Sequence, residues 1–470
     1  MTKRYPIFGL ANVLAQGAYF ALLLLKPNFI PNEFITRFIA HILLPTNIGL
    51  ARKFEGWNMG IISNALCTLW MNLTLLITPN QALHSVFHCL SFATWILHLL
   101  SFCYFFSFKL IPPSGQFRVG YKSLTHKGFT FCVFYPTSNP TSVRANFIGS
   151  DQAMDNLYES TTNTVNLPRA FFNLTFHFLR KIKIYASVGA PIISPDKLPF
   201  DTTNKKFVPV IFSHGLGTHR NAYSSFCCEL ASHGHVVFSI DHVEEVKKTL
   251  RDVPGGETRR KYLAKRVNEV RTLLDSLQKG ELLTELFDTQ VPLAFEKLIV
   301  MGHSYGGSTS LQIACEDKRV HDCVLLDPSM VAFKKEEELT RKLHCDMIMV
   351  ESETWNTEEP RYEIRERNNL LFNSQNGSKK RAIYSIFKRS DHVTFTDLTL
   401  LLAPGMKLFT KKLAILGEVR DNMAYLVNLV SKYVELSIAK DNTEKTNQKC
   451  KELIKSLEKD TRLTNLRVLD

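Results

Sequence analysis

The chain has 470 residues, with 57 Lys or Arg against 44 Asp or Glu, and so a formal charge of +13. With 45% hydrophobic and 21% charged residues it can bury a large core, which excludes global disorder. No nucleic-acid-binding motif accompanies the basic excess, so no nucleic acid partner is expected. Attraction to anionic lipid headgroups fits the charge better.

The charge is unevenly spread. Residues 1–110 carry Lys3, Arg4, Lys26, Arg37, Arg52, Lys53 and Lys109 but only Glu33 and Glu55, and no formally charged residue occurs from Trp57 to Phe108. Ile7–Leu25, Met59–Thr78 and Val86–Phe108 are each long enough to cross a hydrocarbon core, and Phe38–Leu50 is a shorter fourth candidate. The expectation is an α-helical multi-span membrane region of three or four spans over 1–110. A cleaved signal peptide is the rival for the first run, but no small-residue cleavage site follows Leu25 cleanly. The positive charges favour a cytosolic face for the domain that follows.

Ten cysteines show neither a disulfide framework nor a zinc pattern, and the adjacent Cys227 and Cys228 cannot easily bridge each other. No metal and no cofactor is expected. The sequon-like triplets at Asn72, Asn173 and Asn376 do not settle the compartment.

From about Pro112 to 440, short β-rich runs alternate with amphipathic stretches. Phe129–Tyr135, Val208–Phe212, Val236–Ile240, Leu298–Met301, Cys323–Leu326, Met347–Val350 and Ala382–Phe387 read as strands. After the break at Pro254-Gly255-Gly256, Leu263, Val267, Val270, Leu274 and Leu277 fall on one helical face. This alternation argues for an α/β domain with a mostly parallel sheet covered on both faces. Residues 441–470 are rich in charge and read as a helical or frayed tail.

Within that domain, Gly302-His303-Ser304-Tyr305-Gly306 follows an apolar strand and precedes the helical stretch Ser308–Ala314. That is the strand–turn–helix context in which G-x-S-x-G forms a nucleophile elbow. The glycines are needed because the turn is strained, and the turn lifts the serine Oγ above the sheet edge. A serine hydroxyl is a weak nucleophile, so Ser304 needs a base and an acid that orients it. In this fold the acid and then the histidine follow the serine in the chain. His321 and His344 precede their strands, at the wrong edge of a parallel sheet. His392 follows Ala382–Phe387 and is the base by elimination. For the acid, Asp327 follows Cys323–Leu326, while Glu351 and Glu353 follow the next strand; all three are open, and a carboxylate after a strand is usually solvated. The backbone N–H of Tyr305 is one oxyanion donor. The turn Ser213-His214-Gly215-Leu216-Gly217 after Val208–Phe212 places the Leu216 N–H as the second.

These segments together resemble the platelet-activating factor acetylhydrolase family. The similarity runs through PPSGQFRVGY at Pro112–Tyr121, FYP ending at Pro136, the HGLG block at Pro209–Val237, IDH at Ile240–His242, GHSYGG at Gly302–Gly307, LLDPSM around Asp327 and SDHVTFTD around His392. It implies an α/β-hydrolase fold and calcium-independent cleavage of short or oxidised acyl esters at the sn-2 position of glycerophospholipids. It also implies that Asp327 is the acid, and that the apolar, basic stretch Leu167–Tyr185 is a helix docking on lipid surfaces, which would make the bilayer a partner; a core helix with solvated charges fits the same pattern equally well. The chain departs from the family at Val243, where a basic residue is usual, and in its multi-span N-terminus. The alternatives are a general membrane-bound lipase or acyltransferase using the same groups, and a lipid-binding membrane protein without catalysis. The last would lack nucleophile, base or acid, and all three are present.

Overall fold

The computed structural model of the chain describes residues 110–164, 168–198, 205–333, 336–357, 362–378, 380–406, 419–438 and 462–469, with a few single positions elsewhere. The chain divides into two compact units, Lys109–Val165 with Lys183–Asp470, and Met1–Phe108 with Asn166–Ile182.

The larger unit is a mixed α/β fold built on one sheet. Its strands are β1 (Arg118–His126), β2 (Phe129–Thr137), β3 (Arg144–Asn146), β4 (Lys183–Val188), β5 (Pro209–Ser213), β6 (Val236–Asp241), β7 (Leu298–His303), β8 (Val320–Leu326), β9 (Asp346–Ser352), β10 (Ala382–Phe387) and β11 (Leu463–Leu469). Their order is β11-β10-β9-β8-β7-β5-β6-β2-β1-β4-β3. The six strands from β10 to β6 run parallel. β2 pairs antiparallel with β6, β1 with β2, β3 with β4, and β11 with β10.

Every second residue of the central strands points to one face. Phe131 and Val133, Ile211, Phe238 and Ile240, Val300, Leu325, and Met349 join one apolar cluster there. Helix α1 (Asp151–Thr164) precedes β4; α2 (Ser224–Ser232) lies between β5 and β6, and α3 (Glu257–Gln278) precedes β7. Helix α4 (Tyr305–Glu316) follows β7, α5 (Glu353–Thr357) follows β9, and α6 (Val419–Ile438) comes after β10. α3 and α4 pack together over the face that carries the cluster. α2 packs against β2, β6 and α6. The helix expected at Arg260–Leu277 is α3, three residues longer at its start because Glu257 follows directly on the Gly255-Gly256 break.

The structure corrects the expected fold class. Among the described residues no helix is long and apolar enough to cross a membrane. The runs Ile7–Leu25, Phe38–Leu50, Met59–Thr78 and Val86–Phe108 lie outside the described residues, apart from single positions. Length and apolarity make a segment a candidate span and no more. The sheet is mixed, because the outer strands β1, β3, β4 and β11 lack the continuous apolar runs that mark the parallel centre. β1, for example, reads RVGYKSLTH, and only Val119, Gly120 and Tyr121 in it are buried. Within the charged tail, Leu463–Leu469 is an edge strand against β10.

Of the stretch expected as one helix over Leu167–Tyr185, Arg169–Phe176 is helical and His177–Lys181 is a 3-10 turn, both in the smaller unit, while Lys183–Tyr185 begins β4. Phe172 and Leu179 are buried there, and the Phe172 and Phe176 rings lie 4.7 Å apart.

Candidate active site

Ser304 sits between the end of β7 and the start of α4 with φ 55° and ψ −122°. A side-chain-bearing residue held there costs about 1–3 kcal/mol, so the neighbours must leave it no alternative. They do. A Cβ on Gly302 would lie 2.1 Å from the Gly306 oxygen, and one on Gly306 would lie 1.9 Å from the Ser213 oxygen. The Ser304 N–H donates to Leu326 O at 3.0 Å, and the Ser329 N–H donates to Ser304 O at 3.0 Å. The elbow is thereby fixed to the end of β8.

His392 starts a single 3-10 turn after β10, and Asp391 caps that turn in a capping box with Thr394. The His392 Nε2 lies 2.9 Å from Ser304 Oγ, and its Nδ1 lies 2.8 Å from Asp327 Oδ2. A carboxylate only accepts, so Nδ1 carries the proton and Nε2 is free to accept from the serine. Asp327 is fully buried and also accepts from the Ser352 N–H at 2.8 Å and the Ser352 Oγ–H at 2.7 Å.

The other carboxylates are engaged elsewhere. Glu351 is fully buried, not solvated, and accepts from Asn368 and from Tyr384 Oη at 2.7 Å. Glu353 accepts from the Arg389 N–H at 2.8 Å. His321 and His344 line a cavity of about 320 Å³ with Phe295 and Lys380, at the amino ends of the parallel strands.

The two backbone donors expected for an oxyanion are set by different devices. Tyr305 is the first residue of α4, so its N–H has no acceptor within the helix. The Leu216 N–H belongs to the same planar peptide as the Gly215 carbonyl and points opposite to it. That carbonyl accepts from Thr218 Oγ1 at 2.8 Å and lies 2.8 Å from His214 Nδ1. His214 Nε2 accepts from the His242 N–H at 2.9 Å, which places the ring proton on Nδ1 and makes it a donor to Gly215. Burial, and next Arg266, push the His214 imidazole well below its ordinary range, so it stays neutral.

Two further side chains brace this turn. Arg266 on α3 donates to His214 O at 2.6 Å, pairs through two nitrogens with the buried Glu244, and lies 4.7 Å over the Tyr305 ring. Tyr223 Oη accepts from the Gly215 N–H at 3.1 Å and lies 2.7 Å from His303 Nδ1, which ties the turn to the residue before Ser304. Neither residue, nor Ser352, is singled out by sequence pattern. Arg266 sits among charged neighbours that read as a solvated helical face, Tyr223 lies in the HGLG block but has no role assigned by it, and Ser352 belongs to no motif.

A serine raised on a sharp turn above an α/β sheet, with an imidazole against its hydroxyl, is the equipment of a carboxylic ester hydrolase, and that is the class of this protein. The model of the family described as platelet-activating factor acetylhydrolase, isoform II, matches residues 104–249 and 248–460, and the chain belongs to this family. It is 25% identical over 377 residues to the platelet-activating factor acetylhydrolase of Cavia porcellus, covering 72% of this chain and 80% of that one. Against the platelet-activating factor acetylhydrolase of Canis lupus familiaris it is 21% identical over 354 residues, covering 67% and 74%. Among solved structures, a ferulic acid esterase from Streptomyces cinnamoneus is similar in fold, with a TM-score of 0.50, 18% identity, and coverage of 70% of this chain and 92% of that one.

Proposed function

We propose that this protein is a serine esterase that hydrolyses the acetyl, or short or oxidised acyl, ester at the sn-2 position of platelet-activating-factor-like glycerophospholipids. The observation that carries the reading is the continuous hydrogen-bond path from Ser304 through His392 to Asp327 in a chain of this family. The substrate class rests on the family and on the names of the two mammalian relatives.

In this mechanism Ser304 Oγ attacks the ester carbonyl while His392 Nε2 takes its proton. Asp327 holds the imidazole in the accepting tautomer and stabilises the imidazolium as it forms. The carbonyl oxygen becomes an anion facing the N–H groups of Leu216 and Tyr305. Collapse of the tetrahedral adduct breaks the bond to the glycerol oxygen, which leaves with the proton from His392. Water then attacks the acyl-serine by the same route, releasing the carboxylic acid and restoring Ser304.

The test compares phosphatidylcholines bearing acetyl and long-chain groups at sn-2, using wild type and Ser304→Ala. Turnover of the acetyl substrate should dominate, and Ser304→Ala should lose both turnover and labelling by an organophosphonate. Preference for the long chain would sink the substrate reading; labelling that persists in Ser304→Ala would sink the nucleophile.

A further inference from the structure

Trp355 belongs to no motif, yet its ring lies face to face with that of His392. Their centroids are 3.7 Å apart and their planes differ by 8°. Trp355 is only 7% exposed, and its backbone N–H donates to Ser352 Oγ at 3.3 Å, which fixes the residue from which the ring projects. Ser352 also donates to Asp327, so the backbone that carries the stacking ring and the acid share one support.

We propose that Trp355 is a positioning residue of the reaction, holding the His392 ring in the plane that joins Ser304 to Asp327 and stabilising the imidazolium that forms during proton transfer. The inference rests on the reading of His392 as the base. Its physical content is differential. The face of an indole is electron-rich and attracts a cation far more than a neutral ring. His392 is neutral before attack and cationic in the transition state, so the contact strengthens where the barrier lies.

The other groups around His392 do not blur this effect. Asp327 at the end of β8 and Ser304 at the elbow are the two relay partners. His303 at the end of β7 lies 4.5 Å away, and burial holds it well below the ordinary imidazole range, so it is neutral at working pH. Asp391 accepts from Thr354 Oγ1 and from the His392 N–H, and Glu353 on α5 accepts from the Arg389 N–H. None of these groups is removed when Trp355 is replaced.

The experiment measures kcat/KM from about pH 5 to pH 9 for wild type, Trp355→Leu and Trp355→Phe with one short-chain ester. This range brackets the titration of a histidine base. Trp355→Leu keeps an apolar filler but removes the ring face. Its plateau should fall roughly three- to thirty-fold, and its acid limb should move to lower pH by about half a unit to one unit. Trp355→Phe, with a weaker face, should show a smaller change of the same sign and decides the matter if the leucine variant does not fold. A lower plateau with an unmoved acid limb would reduce Trp355 to space-filling and overturn the proposal, as would a profile identical to wild type. Full activity in His392→Asn would instead remove the base reading itself, whatever the Trp355 variants do.

Discussion

The hydroxyl of Ser352 donates to the same Asp327 oxygen that accepts from His392, at 2.7 Å and 2.8 Å respectively. Both residues are fully buried, so the carboxylate has no water to replace a lost partner. Ser352→Ala should therefore cost about 1.5–3 kcal/mol of stability, the usual worth of a hydrogen bond to a charged group. Turnover should fall roughly tenfold as the acid loosens. Denaturant titration and kcat measure the two effects, and unchanged values for both would mean that the Ser352 hydroxyl is dispensable.

Asp327→Asn keeps the shape but presents a donor toward His392 and favours the wrong ring tautomer. A loss on the order of 10⁴ in turnover is expected. Glu353→Gln should leave turnover within a few-fold, because its carboxylate accepts the backbone N–H of Arg389, a bond the amide oxygen of glutamine can also accept. Glu351→Gln should act on stability, not chemistry, because Glu351 is buried between Asn368 and Tyr384. Crippled turnover in Glu353→Gln beside a normal Asp327→Asn would move the acid one strand later.

Arg266 and Glu244 form a buried ion pair whose guanidinium also holds His214 O. Removing only the arginine leaves Glu244 buried and unpaired, so Arg266→Met should destabilise by about 3–5 kcal/mol. Adding Glu244→Leu should recover much of that stability, since the stranded charge is gone. Activity should stay low in the double variant, because His214 O has still lost its donor. If activity returned along with stability, the guanidinium would not be bracing the turn.

Acid and alkali should act on different histidines. Burial keeps His214, His219, His235, His242 and His303 below the ordinary imidazole range, with His219 and His235 down to about 3. These rings are neutral when folded and gain protons on unfolding, so stability should fall as pH drops below about 6.5. His233 has the opposite sign. Its hydrogen bonds to Glu229 and then Glu435 hold it up at about 9, clasping the end of α2 to α6. That contribution is whole below about 6.5 and is lost as pH rises through about 9. Urea titrations across this range should show a maximum near neutrality, and His233→Gln should flatten the alkaline side alone. An alkaline slope that survives His233→Gln would assign it to another group.

The legible part of this molecule is the part written in short range. Apolar runs mark the parallel centre of the sheet, and the glycines around Ser304 mark a turn that admits nothing larger. The placement of His392 after β10 could be reasoned from strand order, and the family resemblance singled out Asp327. What escaped is tertiary. Arg266 meets Glu244 across 22 residues, Ser352 meets Asp327 across 25, and Trp355 meets His392 through the fold alone. Solvation was misjudged for the same reason: nothing local distinguishes Glu351, enclosed by Asn368 and Tyr384, from a carboxylate in water. Strand β11 was hidden because seven partly apolar residues lie at the end of a charged stretch.

The Gly215 carbonyl, pinned by Thr218 and His214, has a consequence for how the barrier divides between heat and disorder. The Leu216 N–H needs no rotation to meet the forming anion, so the ordering of that donor is settled when the chain folds. The activation entropy of acyl transfer should accordingly be small for this step. Freeing the carbonyl, as in Thr218→Val, should make it more negative, seen as a slower kcat whose plot of ln(kcat/T) against 1/T has a lower intercept and an unchanged slope.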